Sequence, residues 1–178
     1  LRFREMERLN LAFMEPRKGQ RPVLIFPDSG QRNKKWTGYG QLTALLIREG
    51  GRKVVWAGNN YLPGRESFPD GTFLNLTGNT SLTSLPALLH KADWIISNDS
   101  GPMHLAAAMG LKTIGLFGPT DPRQYGPYPL MSPTNYAIQA PVGELNLLPA
   151  KEVFALFNRI ETALPKAQAR AAQMAPVG

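Results

Sequence analysis

The sequence predicts an α/β domain of three layers, with a mostly parallel sheet covered by helices on both faces. Three observations predict it. Short apolar runs and stretches with helical spacing alternate five times along the chain, as consecutive strand-helix units do. Runs such as Val23-Leu-Ile-Phe26 and Trp94-Ile-Ile-Ser97 are continuously apolar, which suits strands buried on both faces. A polar turn, Asn98-Asp-Ser-Gly101, follows the second of these runs, at the carboxyl end of a strand where open α/β sheets bind ligands.

Residues 1–19 mix charges with apolar residues of poor periodicity and predict a helix or an interdomain connector, so the domain proper is placed at 20–164. After the first strand at 23–26, the loop 28–35 carries Gly30, Asn33, Arg32, Lys34 and Lys35. It suits either a diphosphate or plain solvation. Residues 39–48 set Leu42, Leu45 and Leu46 on one helical face, and Gly50-Gly51 stops that helix. Residues 53–57 form the second strand and 58–64 a loop; 73–76 form a short strand and 84–91 a short helix. Thr80 and Ser81 lie between those two, as ligand contacts or ordinary caps. After the strand at 94–97, Pro102 suits a first helical turn and Gly110 a left-handed cap. The next strand is 113–117. The segments 118–122 and 125–129 are too rich in proline and glycine for regular structure and predict a rigid lip, with Thr120 as its ligand contact. Residues 136–139 read as an edge strand. Val153, Leu156, Phe157 and Ile160 then mark an amphipathic helix over 151–164, and the Ala/Pro-rich residues 165–178 predict a disordered tail. The sequence has no internal repeats.

At 178 residues and 43% hydrophobic composition, the chain is long enough for one well-buried domain. The net charge of +7 and pI near 9.9 fit a partner bearing phosphates. No aromatic-basic pattern of an RNA-binding kind accompanies that charge, so nucleic acid is not the expected partner. No run reaches the ~18 apolar residues of a membrane span. With no cysteine, and with His90 and His104 far apart, no local metal motif exists, and metal-free chemistry without a cofactor is expected.

The turn at 98–104 favours an anion. The first backbone NH groups of the predicted helix have no intrahelical partner and carry the positive end of its dipole, and a phosphate satisfies both. Gly101 lets a ligand oxygen approach the backbone, while the Ser100 hydroxyl and His104 add donors. Asp99 would repel a phosphate, so it is expected to shape the turn or hold NH groups. Helix capping is the competing role for Asp99 and Ser100, and an ordinary structural role the competing one for His104.

The string Asn98-Asp-Ser-Gly-Pro-Met-His104, continuing Leu105-Ala-Ala-Ala-Met-Gly110 and then Leu116-Phe-Gly-Pro-Thr-Asp-Pro122, closely resembles the donor-site signature of glycosyltransferase family 9. That family holds the ADP-heptose:lipopolysaccharide heptosyltransferases. The resemblance extends upstream to Phe26-Pro-Asp-Ser-Gly30 with Lys34-Lys35-Trp36, and to Leu76-Thr-Gly-Asn-Thr-Ser-Leu82, the family's loop beside the adenine. Three motifs in order are far more specific than one.

What the resemblance implies is a Rossmann-like domain, the C-terminal half of a GT-B enzyme. It implies ADP-heptose as donor, a lipopolysaccharide core sugar as acceptor, and inversion at the anomeric carbon without metal or cofactor. Lys34 would stabilise the leaving diphosphate as a point charge and Ser29 as a donor, with Thr80, Asp99, Ser100, Gly101, His104 and Thr120 around it. The base and acceptor surface would belong to an N-terminal domain not found here. The setting would be cytoplasmic, at the inner face of the inner membrane, with peripheral membrane association. The family's ribose-binding carboxylate is replaced by Asn59 and Asn60, and the next acid along the chain is Glu66. Two alternatives stand: another GT-B nucleotide-sugar enzyme, since fold does not fix function, and a non-catalytic anion-binding module.

Overall fold

The computed structural model describes residues 11–16, 19–28, 34–64, 67–130 and 132–174, with side chains between 12 and 163. Six strands, β1 (Val23–Phe26), β2 (Val54–Gly58), β3 (Phe73–Thr77), β4 (Trp94–Asn98), β5 (Thr113–Phe117) and β6 (Asn135–Gln139), form one sheet in the order β3-β2-β1-β4-β5-β6. All five pairings among them are parallel, with Ile25 opposite Trp56 on one side and Ile96 on the other. The expected mostly parallel α/β sheet is therefore present. Strands β1, β4 and β5 are buried along their whole length, which is why their sequences are continuously apolar.

The described residues form five α-helices, α1 (Tyr39–Arg48), α2 (Leu85–Leu89), α3 (Gly101–Ala108), α4 (Pro122–Tyr125) and α5 (Ala150–Met174), of which all but the short α4 pack on the sheet. Alternate strand residues face opposite ways, so the strands divide into two cores. Val23, Ile25, Trp56, Trp94 and Ile96 pack with Leu42 and Leu46 of α1 and with Val153, Phe157 and Ile160 of α5. Leu24, Phe26, Val55 and Ile95 pack with Leu85, Leu88 and Leu89 of α2 and Ala106 of α3. This is the three-layer arrangement.

Glycines close α1 and α3 as their positions suggest, Gly51 at φ +62 after the first and Gly110 after the second. Gly110, at φ +71, donates to Ala107 O while Leu111 donates to Ala106 O, the paired bonds of a left-handed helix end.

The structure differs from the sequence reading in three places. Within the 118–129 lip, Pro122–Tyr125 is a helical turn, because Pro122 sits at its start and Asp121 accepts a bond from the Arg123 NH at 2.9 Å. The closing helix passes Pro165 and continues to Met174 instead of giving way to a disordered tail at 165; its last turns are rich in alanine, the strongest helix former. Of the segment read as a helix or connector, Leu11–Met14 is a 3₁₀ turn whose Met14 is fully buried against the sheet, and Lys53 Nζ holds the carbonyls of Phe13 and Glu15. No described helix is long and apolar enough to cross a membrane.

Candidate functional site

Strand order reverses between β1 and β4, because the chain moves outward from β1 through β2 and β3 and then returns to β4 on the opposite side. The loops leaving those two strands diverge and open a crevice at the carboxyl edge of the sheet. Lys34 follows β1 and Asp99 follows β4. Lys34 Nζ donates to Asp99 Oδ2 at 2.5 Å, across 65 residues of sequence, with Asp99 almost wholly buried. Thr120, after β5, donates its hydroxyl to the same Oδ2 at 2.8 Å. His104 Nε2 lies 3.9 Å from Oδ1 and is half exposed. Four predicted site residues from three loops and one helix thus meet on one carboxylate. That corrects the expectation for Asp99, whose oxygens hold side-chain donors, Lys34 above all, instead of NH groups.

The amino end of α3 stands beside this cluster. Ser100 occupies the N-cap position in an extended conformation but makes no side-chain cap bond; its hydroxyl shares a 3.0 Å hydrogen bond with that of Ser97. Neither Asp99 nor Ser100 serves as a side-chain cap, so the Gly101 NH, which has no intrahelical acceptor, remains available. A Cβ built on Gly101 would meet nothing within 4 Å, and its φ is not in the left-handed region. The fold itself therefore does not require glycine here.

Thr80 stands apart from this cluster, at the end of β3: it is buried and donates to Leu76 O at 3.1 Å, the local role that competed with ligand contact. Ser29 and Glu66 lie outside the described residues. Asn60, in the position where the family's acid was sought, donates to Asp28 Oδ2, while Lys35 Nζ is 3.2 Å from Oδ1. A cleft of about 390 Å3 adjoins Asp28, walled by Trp36, Tyr39, Trp56 and Phe68.

Two supporting residues escaped the sequence reading. Tyr39 donates its hydroxyl to Asn98 Oδ1 at 2.6 Å in the buried interior, and burial pushes the phenol well above its ordinary range. This bond fixes the last residue of β4, directly before Asp99. No local pattern announces a contact between residues so far apart. Asp121, clamped to Arg123, was read as part of an irregular lip; a proline directly after an acidic residue was the available signal.

The model of glycosyltransferase family 9 (heptosyltransferase) matches residues 3–139, well over half of the chain. The chain belongs to that family. Among its relatives, lipooligosaccharide heptosyltransferase 2 of Haemophilus influenzae is 32% identical over 120 residues, covering 61% of this chain and 34% of that protein. Lipopolysaccharide heptosyltransferase 2 of Escherichia coli is 32% identical over 114 residues, covering 58% and 33%. This family 9 chain therefore spans about a third of the length of the curated relatives it matches. In fold it is similar to E. coli heptosyltransferase WaaC with ADP, with a TM-score of 0.69 at 24% identity over 82% of this chain and 46% of that one. The family 9 glycosyl transferase from Veillonella parvula gives 0.68 at 20% identity over 89% and 51%.

Proposed function

We propose that this chain is the donor-binding, C-terminal half of an inverting GT-B glycosyltransferase that moves heptose from ADP-heptose to a lipopolysaccharide core acceptor, without a metal ion. The observation that carries the reading is the Lys34 to Asp99 contact, because it fixes a cation beside the amino end of α3, where the Gly101 NH has no intrahelical acceptor. A diphosphate needs those two features in one place. The names of the family 9 relatives support the sugar and the acceptor, and the solved relative with ADP supports the nucleotide.

In this mechanism an acceptor hydroxyl attacks the anomeric carbon from the face opposite the diphosphate, a base takes the hydroxyl proton, and the bond from that carbon to the diphosphate oxygen breaks. ADP leaves carrying the electron pair. Lys34, the Gly101 NH, the Ser100 hydroxyl and His104 stabilise its growing charge, and loss of one such oriented donor costs on the order of 2.7 to 4 kcal/mol. The same groups take the charge that a divalent ion would otherwise neutralise.

Nearby carboxylates are already engaged: Asp28 by Asn60 and Lys35, Asp99 by Lys34 and Thr120, Asp121 by Arg123. The base and the acceptor surface are therefore assigned to the part of the relatives that this chain does not cover, a domain working with it at the inner face of the membrane that bears the acceptor. The experiment is thermal unfolding with nucleotides. ADP raises the melting temperature without added magnesium, by mass action on the folded state, and AMP raises it less. A shift that appears only with a divalent ion would remove the metal-free site; no shift at millimolar ADP would remove the donor site altogether.

A further inference from the structure

The Lys34-Lys35-Trp36 motif ends on a residue that the donor site does not use. Trp36 is 5% exposed, two positions beyond Lys34, and its Nε1 donates to Leu148 O at 2.9 Å in the core on the α1 side of the sheet. Directly after it, the Thr37 NH donates to Asn146 Oδ1 at 2.9 Å. Both acceptors lie in the turn at 145–148, which includes the 3₁₀ segment Leu145–Leu147 and leads into α5, 109 and 112 residues along the chain. The backbone between Lys34 and α1 is irregular, and neither the Trp36 nor the Thr37 NH has a backbone acceptor among the described residues. The distant turn is what holds it.

The indole also reaches the other half of the ion pair. It packs edge-on against Tyr39 with ring centroids 4.8 Å apart, and the Tyr39 hydroxyl holds Asn98, the residue directly before Asp99. A neutral path from Leu148 through Trp36 and Tyr39 to Asn98 thus ties together the two loops that carry Lys34 and Asp99. Gly38 is part of the fit. A Cβ built there would collide with the Trp36 indole, although the φ of −77 is open to any residue, so the ring and not the backbone requires glycine. The path matters because a lysine gives up as much as about 2 kcal/mol of rotamer freedom when held in one place. A fixed backbone origin decides whether its amine reaches one position or many.

We propose that Trp36 is a positioning residue for the donor site: hung from the 145–148 turn and braced on Tyr39, it sets the reach of Lys34 toward Asp99 and the amino end of α3. The inference rests on the donor-site reading above and adds to it the residues that place its cation. It is tested by isothermal titration with ADP in the wild-type and Lys34→Ala backgrounds, at low ionic strength, where charge is screened least. Three changes are compared. Trp36→Phe keeps a ring and loses the Nε1 donor, Gly38→Ala pushes the indole aside, and Asn146→Ala frees the Thr37 NH at an exposed position. In the wild-type background each weakens ADP by about three- to tenfold, the worth of one hydrogen bond. In the Lys34→Ala background the same changes do nothing further, because the group they misplace is gone. Unchanged affinity in the single variants makes Trp36 a core residue and no more. The same factor lost in both backgrounds shows an effect that does not pass through Lys34. Either result overturns the assignment, and should Trp36→Phe fail to fold, Gly38→Ala and Asn146→Ala decide it. Absence of ADP binding by the wild type sinks the donor site itself, and the inference with it.

Discussion

Tyr39 and Asn98 join the first helix to the end of β4 through a buried hydrogen bond of 2.6 Å, 59 residues apart in sequence. Among the described residues Nδ2 of Asn98 has no partner, so the phenol supplies the bond that holds this amide in place. Tyr39→Phe leaves Oδ1 buried and unsatisfied, at a cost of about 1 to 3 kcal/mol. Urea unfolding will show a lower midpoint with an unchanged slope.

The same tyrosine sets an alkaline limit. Burial favours the neutral phenol, so its folded pKa lies above the unfolded value of about 10. The stability contributed by that shift is whole below pH about 10 and is lost as pH rises toward the raised folded value. Stability measured against pH should fall on that limb in the wild-type chain and fall less in Tyr39→Phe. Equal slopes would contradict it.

Gly101 and Lys34 separate binding from folding. Gly101→Val adds a side chain into open space at an ordinary φ, so stability should change by no more than about 0.5 kcal/mol. ADP affinity should nonetheless drop at least tenfold, because the side chain occupies the ligand's approach. Lys34→Ala should weaken ADP by removing its charge, whereas Lys53→Ala, whose amine holds the carbonyls of Phe13 and Glu15, should not. Calorimetry showing equal losses in all three would mean that the attraction is diffuse.

Arg52 supplies the converse case. It is buried before β2, where it reaches Asp93 at 2.9 Å, Glu161 at 3.0 Å and the Arg21 carbonyl at 3.0 Å, while Trp94 Nε1 also donates to Glu161. Arg52→Met removes the cation between two partly exposed carboxylates, which keep the Arg21 NH and Trp94 Nε1 as donors, and should cost about 1 to 3 kcal/mol. ADP affinity measured well below the new melting point should be unchanged.

Catalysis makes the sharpest demand. The chain alone should bind ADP and transfer no sugar, with transfer to a deep-rough lipopolysaccharide acceptor appearing once an N-terminal family 9 domain is joined or added, because the base must face the incoming hydroxyl. Turnover by this chain alone would require a base among its own residues.

The central strands were legible because burial on both faces writes them as unbroken apolar runs, and α1 because Leu42 and Leu46 recur at helical spacing. The parallel sheet followed from the strand-helix alternation, while its strand order did not. The Lys34 to Asp99 pair did not, since both residues sit in polar loops and nothing local says which charges meet. Reading Asp99 as a residue that shapes the turn or holds NH groups missed its ion pair for that reason. The lip helix was missed by weighing proline and glycine content over position, although Asp121 and Pro122 stand in cap and first-turn places. At the other end, Pro165 read as a stop, but the alanines that follow outweigh one absent NH donor.

The Arg52 clamp lies at the amino edge of the sheet, whereas Thr120, Arg123 and Val142 lie at the carboxyl edge, with their side chains outside either core. Exposed positions such as Arg123 and Val142 can therefore change without compensating changes in the core, while Gly118 and Ala140 stay buried.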